Sequence, residues 1–279
     1  MTGIIDVGGG LRGVYGAGVF DGLLDLDIHI ECCIGVSAGS ANLCSYIAEQ
    51  RGRNYRFFRD YTFRKEYMGF GNMLRSGSFI NFDYIYGTLS NSDGEDPVDY
   101  EKFSGYKGIF KVVATDALTG KPVFFDKSDV LPDDFRVFSA SCCIPVVNKP
   151  VTVNGKEYFD GGVALPLPLD YAMQTLGCDK VIVVLTLPKD VEKPAGIDAN
   201  GGAFLPRYPV IGQLLKTRAE RYNRQVKKAL ELEKEGKVLI IAPDDTCGID
   251  TLTRDVKGIE LLYEKGVNDA RAALDFIGR

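Results

Sequence analysis

The order of apolar and polar positions along the chain falls into two alternating periods. Short, mainly apolar runs stand at residues 2–7, 29–34, 108–115, 180–187 and 238–242. Their length and β-branched content predict strands. The run over 180–187, with Val181, Ile182, Val183, Val184 and Leu185 in succession, suits a strand covered on both faces. Helical spacing follows the first run, at Val14, Ala17, Gly18, Phe20, Leu23 and Leu24. More helix is predicted over 41–50, 169–176 and, charged and amphipathic, over 210–235. Strand, glycine loop, helix, strand, turn, helix is the order of an α/β fold with a mainly parallel central sheet flanked by helices.

Between these lie shorter signals. Residues 122–125 pair with 108–115 across the turn chemistry of 116–121. Asn154-Gly155 suits a type I′ turn and joins 151–153 to 156–159 as a hairpin. Residues 137–143 read as a helix stopped by Pro145. Residues 55–86 are rich in aromatics with interleaved Arg and Lys. Most of these suit a core, and the functional alternative is an acyl-chain pocket or a lid that meets an amphiphile surface. Glycines at 69, 71 and 77 make 70–78 a mobile loop, and 188–209 reads as a long surface loop. Residues 252–277 are helical with interruptions near Gly258 and Gly266.

Composition narrows the class. The 279 residues fit one large domain, or one domain with an appendage, and 45% hydrophobic content belongs to an ordinary globular core. A net charge of −5 argues against a nucleic-acid binder. No apolar run reaches the ~18 residues of a membrane span, and no basic leader precedes an apolar segment, so no signal peptide is expected. Seven cysteines without Cys-x-x-Cys spacing read as buried small hydrophobes in a reducing compartment, which makes the expected location cytoplasmic. The charged helix over 210–235 reads as a solvated face rather than an interface. Histidine occurs once, at position 29.

Candidate chemistry centres on Gly35-Val36-Ser37-Ala38-Gly39, a G-x-S-x-G turn between a predicted strand and a predicted helix. Such a turn lifts the serine hydroxyl out of the sheet and sets the next amide at a helix N-terminus. The plain alternative is a helix cap at Ser37 or Ser40. A nucleophilic serine needs a base. His29 starts the second strand and Ser37 lies beyond its end, several residues of roughly 3.3 Å each away, which no side chain bridges. A carboxylate can serve instead. Asp160 leaves a strong hairpin and precedes Gly161 and Gly162, where the alternative is a simple turn. Gly8, Gly9, Gly10, Leu11, Arg12 and Gly13 offer exposed amides for an oxyanion hole, which the amide of Ala38 would complete. Parallel neighbouring strands bring this loop and the serine turn to one sheet edge. The competing dinucleotide fingerprint wants an acidic residue at the end of the second strand, where Gly35-Val36-Ser37 stand.

The ordered set Gly-Gly-Gly-Leu-Arg-Gly, Gly-Val-Ser-Ala-Gly and Asp-Gly-Gly resembles the patatin-like phospholipase family, over about residues 2–190. Val113-Ala114-Thr115-Asp116 with Thr119-Gly120, Ala140-Ser141 before Pro145, and Tyr158-Phe159 before Asp160 share the likeness. The resemblance implies a three-layer α/β/α domain over 1–190, with 191–279 as a helical and strand extension packed on it. It implies a Ser37–Asp160 dyad, the oxyanion loop at Gly8 to Gly13, and hydrolysis of lipid or fatty-acyl esters through an acyl-enzyme, with no metal or other cofactor. Transient contact with a membrane surface goes with such a substrate. The same dyad would also suit an acyltransferase or thioesterase, and a non-catalytic lipid-binding relative is the third reading.

Overall fold

The computed structural model describes residues 1–278. Eight strands form one mixed sheet: β1 (Thr2–Asp6), β2 (Cys32–Val36), β3 (Ile109–Asp116), β4 (Pro122–Asp126), β5 (Val151–Val153), β6 (Lys156–Asp160), β7 (Lys180–Val184) and β8 (Val238–Ile241). The order is β5-β6-β3-β2-β1-β7-β8, with β4 also paired to β3. The run β3-β2-β1-β7-β8 is parallel, and β4, β5 and β6 join antiparallel. Helices cover both faces, so the fold is α/β with a mostly parallel sheet.

Alternation along the strands divides the core. Ile4, Cys33 and Ile182 point to a face covered by helices Val14–Asp25 and Ala38–Ile47. Their neighbours Ile5, Ile34 and Val183 point to the other face, covered by Tyr222, Val226 and Ala229 of helix Arg218–Lys234. Runs that are apolar at every position follow from this two-sided burial.

The register places the ends of two strands side by side. Strand β4 occupies one edge of β3 over Lys111 to Thr115. The other edge pairs with β2 as far as Val36↔Val113, and β6 takes up the next residue with Asp160↔Ala114. The residue after β2 is Ser37 and the last residue of β6 is Asp160.

Several elements differ from the sequence reading. Strand β2 is Cys32–Val36 rather than 29–34, because Gly35 and Val36 pair with Val112 and Val113 right up to the turn. The segment 70–78 contains the helix Phe70–Ser76. The helix over 210–235 is two helices, Pro209–Lys216 and Arg218–Lys234, broken at Thr217. Gly258 and Gly266 do not interrupt the C-terminal helix Val256–Asp269; they lie inside it. A Cβ at Gly266 would overlap the carbonyl oxygen of Tyr15, so glycine there permits close helix packing. Among the described residues, no helix is long and apolar enough to cross a membrane.

Candidate active site

Ser37 joins β2 to helix Ala38–Ile47 with φ 55° and ψ −134°. A positive φ at a non-glycine residue costs roughly 1–3 kcal/mol and persists only where its surroundings hold it. Here they do. The amide of Ser37 donates to Ser141 Oγ at 2.9 Å, and Ser141 Oγ donates to the Val113 carbonyl at 2.7 Å. The amide and hydroxyl of Ser40 donate to the Ser37 carbonyl at 2.9 and 2.7 Å. The flanking glycines have a steric reason. A Cβ at Gly35 would overlap Ser40, and one at Gly39 would overlap Asp6. The Ser37 hydroxyl lies near enough to Asp160 to help lower its pKa.

Asp160 is buried, and its Oδ1 accepts the amide of Gly162 at 2.8 Å. Burial raises its pKa above the ordinary 3.8. The positive charge of Arg218, the Ser37 hydroxyl and the Gly162 amide pull it back down. Arg218 Nε donates to the Gly162 carbonyl at 3.1 Å. Val36, Ser37, Asp160 and Gly162 therefore form one cluster at the sheet edge, and Gly161 packs on Val113.

The glycine loop lies against the serine turn. Gly8, Gly9 and Gly10 all have positive φ, and a Cβ at Gly8 would overlap the Val36 carbonyl. The seven residues singled out as amide donors do not stand alike. The amide of Gly8 donates to Asp6 Oδ1 at 2.9 Å, and that of Leu11 donates to the Thr251 carbonyl at 3.0 Å. Arg12 and Gly13 belong to the helical turn Gly10–Gly13, and the Arg12 side chain pairs with Asp250. The amides of Gly9, Gly10 and Ala38 have no partner among the described residues.

The sequence reading passed over Asp6. This carboxylate is fully buried at the end of β1, and burial pushes its pKa up to about 6. Asn42 Nδ2 donates to Asp6 Oδ2 and to the Gly13 carbonyl, each at 2.9 Å. Asp6 thus ties the glycine loop to the helix after Ser37. An acidic residue closing an apolar strand just before three glycines was the available signal. His29 is exposed, bonds Asp27 and precedes β2, at the sheet edge opposite Ser37.

An apolar cavity of about 90 Å³ opens beside Ser37, several times the ~10–15 Å³ that one water needs. Phe57, Phe58, Tyr67, Phe82 and Tyr86 of the aromatic stretch line it, with Met68 and Ile80. Cys142 also lines it, close to the hydroxyls of Ser37 and Ser40. Burial pushes the Cys142 thiol up to about 12, so it stands as a neutral thiol at pH 7.

Fold and site together define an α/β protein in which a serine turn and a glycine loop border an apolar cavity and a buried aspartate stands at the neighbouring strand end. The family model described as "Patatin-like phospholipase" matches residues 7–173. That is more than half of the chain, and the protein belongs to this family of lipid acyl hydrolases. Residues 208–279 match a model described as a domain of unknown function (DUF6363). The uncharacterized protein YjjU of Escherichia coli K12 is 26% identical over 187 residues, covering 66% of this chain and 51% of its own. The chain thus spans about half the length of that relative. The fold is similar to that of VipD from Legionella pneumophila, at TM-score 0.52 and 13% identity over 98% of this chain and 66% of that one.

Proposed function

We propose that this protein hydrolyses lipid acyl esters with Ser37 as nucleophile and Asp160 as base. One observation carries the reading: the register of β3 sets the end of β2 beside the end of β6, so the strained serine meets a buried carboxylate at an apolar cavity. Asp160 takes the Ser37 proton as Oγ bonds to the ester carbonyl carbon. The oxyanion that forms is held by the amides of Gly9, Gly10 and Ala38, narrowed from the wider loop because Gly8 and Leu11 donate elsewhere. When the carbonyl re-forms, the ester C–O bond breaks and the leaving alcohol takes the proton from Asp160. Water then repeats the sequence on the acyl-enzyme, giving up its proton to Asp160 and releasing the fatty acid.

The acyl chain occupies the aromatic-lined cavity. A lipid surface supplies it. Helix Phe70–Ser76 lies between the cavity residues Met68 and Ile80, and its Phe70 and Leu74 are 80% and 89% exposed. Arg75 on this helix and Lys149, whose ammonium donates to the Ser76 carbonyl at 2.7 Å, stand exposed there and complement anionic headgroups. Among the described residues the cysteines are free, which agrees with a cytoplasmic location. The test is a hydrolysis panel varying acyl length and headgroup, run on wild type and Ser37→Ala. Turnover of acyl esters by wild type alone is expected; equal rates from both proteins would defeat the assignment.

A further inference from the structure

The C-terminal region that matches a domain of unknown function reaches the site from two sides. On the side of the base, Arg218 Nε donates to the Gly162 carbonyl and Arg221 Nη2 to the Val163 carbonyl at 2.8 Å. On the side of the glycine loop, the stretch 250–252 comes down between β8 and helix Val256–Asp269. The Thr251 carbonyl accepts the Leu11 amide, and Asp250 pairs with Arg12. A Cβ at Gly10 would overlap the Thr251 carbonyl, so the two backbones are in contact. Thr251 and Leu252 also line the cavity.

Three consecutive glycines have more backbone freedom to lose than any other tripeptide, and oxyanion donors must sit within a few tenths of an ångström. The run is anchored before Gly9 by Asp6, which accepts the Gly8 amide, and by Thr186, whose hydroxyl donates to the Gly8 carbonyl at 2.5 Å. After Gly10, the next anchors on Leu11 and the Arg12 side chain come from residues 250 and 251. The Arg12 side chain is 9% exposed and its Nε has no partner among the described residues, so Asp250 is the counter-charge that fixes the guanidinium. Helix Val256–Asp269, which follows the clasp, is tied to helix Val14–Asp25 by Asp269 Oδ2 accepting the Tyr15 hydroxyl at 2.6 Å.

We infer that residues 250–252 are a clasp that positions the oxyanion loop and walls the acyl cavity, which makes the C-terminal region a working part of the active site. The kinetic side of this inference rests on the hydrolase reading; the structural side does not. Asp250 is a positioning residue, and its carboxylate is 76% exposed, so its replacement leaves the core intact.

The experiment compares wild type, Asp250→Ala and Asp250→Glu by amide hydrogen exchange and by steady-state kinetics on a soluble p-nitrophenyl ester. In Asp250→Ala, the Leu11 amide, which donates to the Thr251 carbonyl, is expected to exchange at least about tenfold faster while the strands keep their protection. The kcat is expected to fall roughly tenfold to a hundredfold with KM nearly unchanged, and Asp250→Glu to recover most of it. Unchanged exchange at the Leu11 amide, or loss of protection spread evenly over the sheet, overturns the clasp. Should wild type turn over no ester while the Leu11 amide still loosens, the clasp stands and the hydrolase reading falls.

Discussion

Ser37 occupies a conformation that only its neighbours make tolerable, and the bond from its amide to Ser141 Oγ is the most exposed to a single substitution. Ser141→Ala leaves a buried N–H without a partner, a cost of about 1–3 kcal/mol. A lower denaturation midpoint together with reduced turnover is expected; unchanged stability would mean that the turn is held otherwise. The pKa directions give two signed outcomes. As the proposed base Asp160 must be ionised, and its burial raises its pKa, so activity is expected to be lost on the acid side at a pH above 3.8. Arg218 is the largest influence pulling that pKa down, so Arg218→Gln moves the acid limb of kcat/KM to higher pH. A limb that stays or moves lower contradicts the pairing. Asp6 is raised from 3.8 to about 6, so the folded state binds its proton more tightly than the unfolded chain. Its contribution is present below pH 3.8 and lost as pH rises to about 6, on the order of 3 kcal/mol. Thermal melts from pH 4 to 7 are expected to show this fall in wild type and not in Asp6→Asn. At this scale the sequence showed Ser37 and Asp160 through their glycine neighbours. Asp6 carried a signal in its place before three glycines and Ser141 in Ala140-Ser141 before Pro145, but what they hold, like the partners of Asn42, lies in contacts distant in the chain.

Among the elements, strands were the most legible, because two-sided burial writes itself as apolar runs. The Asn154-Gly155 hairpin was equally plain, since Asn154 and Gly155 both take positive φ. Helix Phe70–Ser76 was hidden by its glycines: Gly69 and Gly77 flank it, and Gly71 sits in its first turn. Its exposed Phe70 and Leu74, four residues apart, share one face. Full burial of each side chain in a lipid surface is worth about 1.5–3 kcal/mol, so Phe70→Ser with Leu74→Ser lowers partition onto anionic vesicles at least about tenfold. Cosedimentation of the Ser37→Ala protein with and without these changes reads this without hydrolysis. Undiminished binding would remove the helix from the lipid-facing surface. Gly266 misled in the opposite direction, because a helix-weakening residue was kept for its lack of a side chain.

For the whole molecule, the parallel order and the meeting of glycine loop and serine turn followed from βαβ logic. Two things did not. The sharing of one β3 edge by β2 and β6, which brings Asp160 to Ser37, is a matter of register that neither strand states alone. The return of residues 250–252 onto the glycine loop spans the chain from end to end, and the sequence there shows only a short polar stretch before a helix.

The dyad itself is tested most directly by a fluorophosphonate that esterifies activated serines, with the adduct located by mass spectrometry. One adduct on Ser37 is expected in folded wild type, none in Ser37→Ala, and labelling in Asp160→Asn slowed by about a hundredfold or more, within the range general-base catalysis supplies. Labelling at another residue, or an Asp160→Asn protein that reacts as fast as wild type, would contradict the dyad.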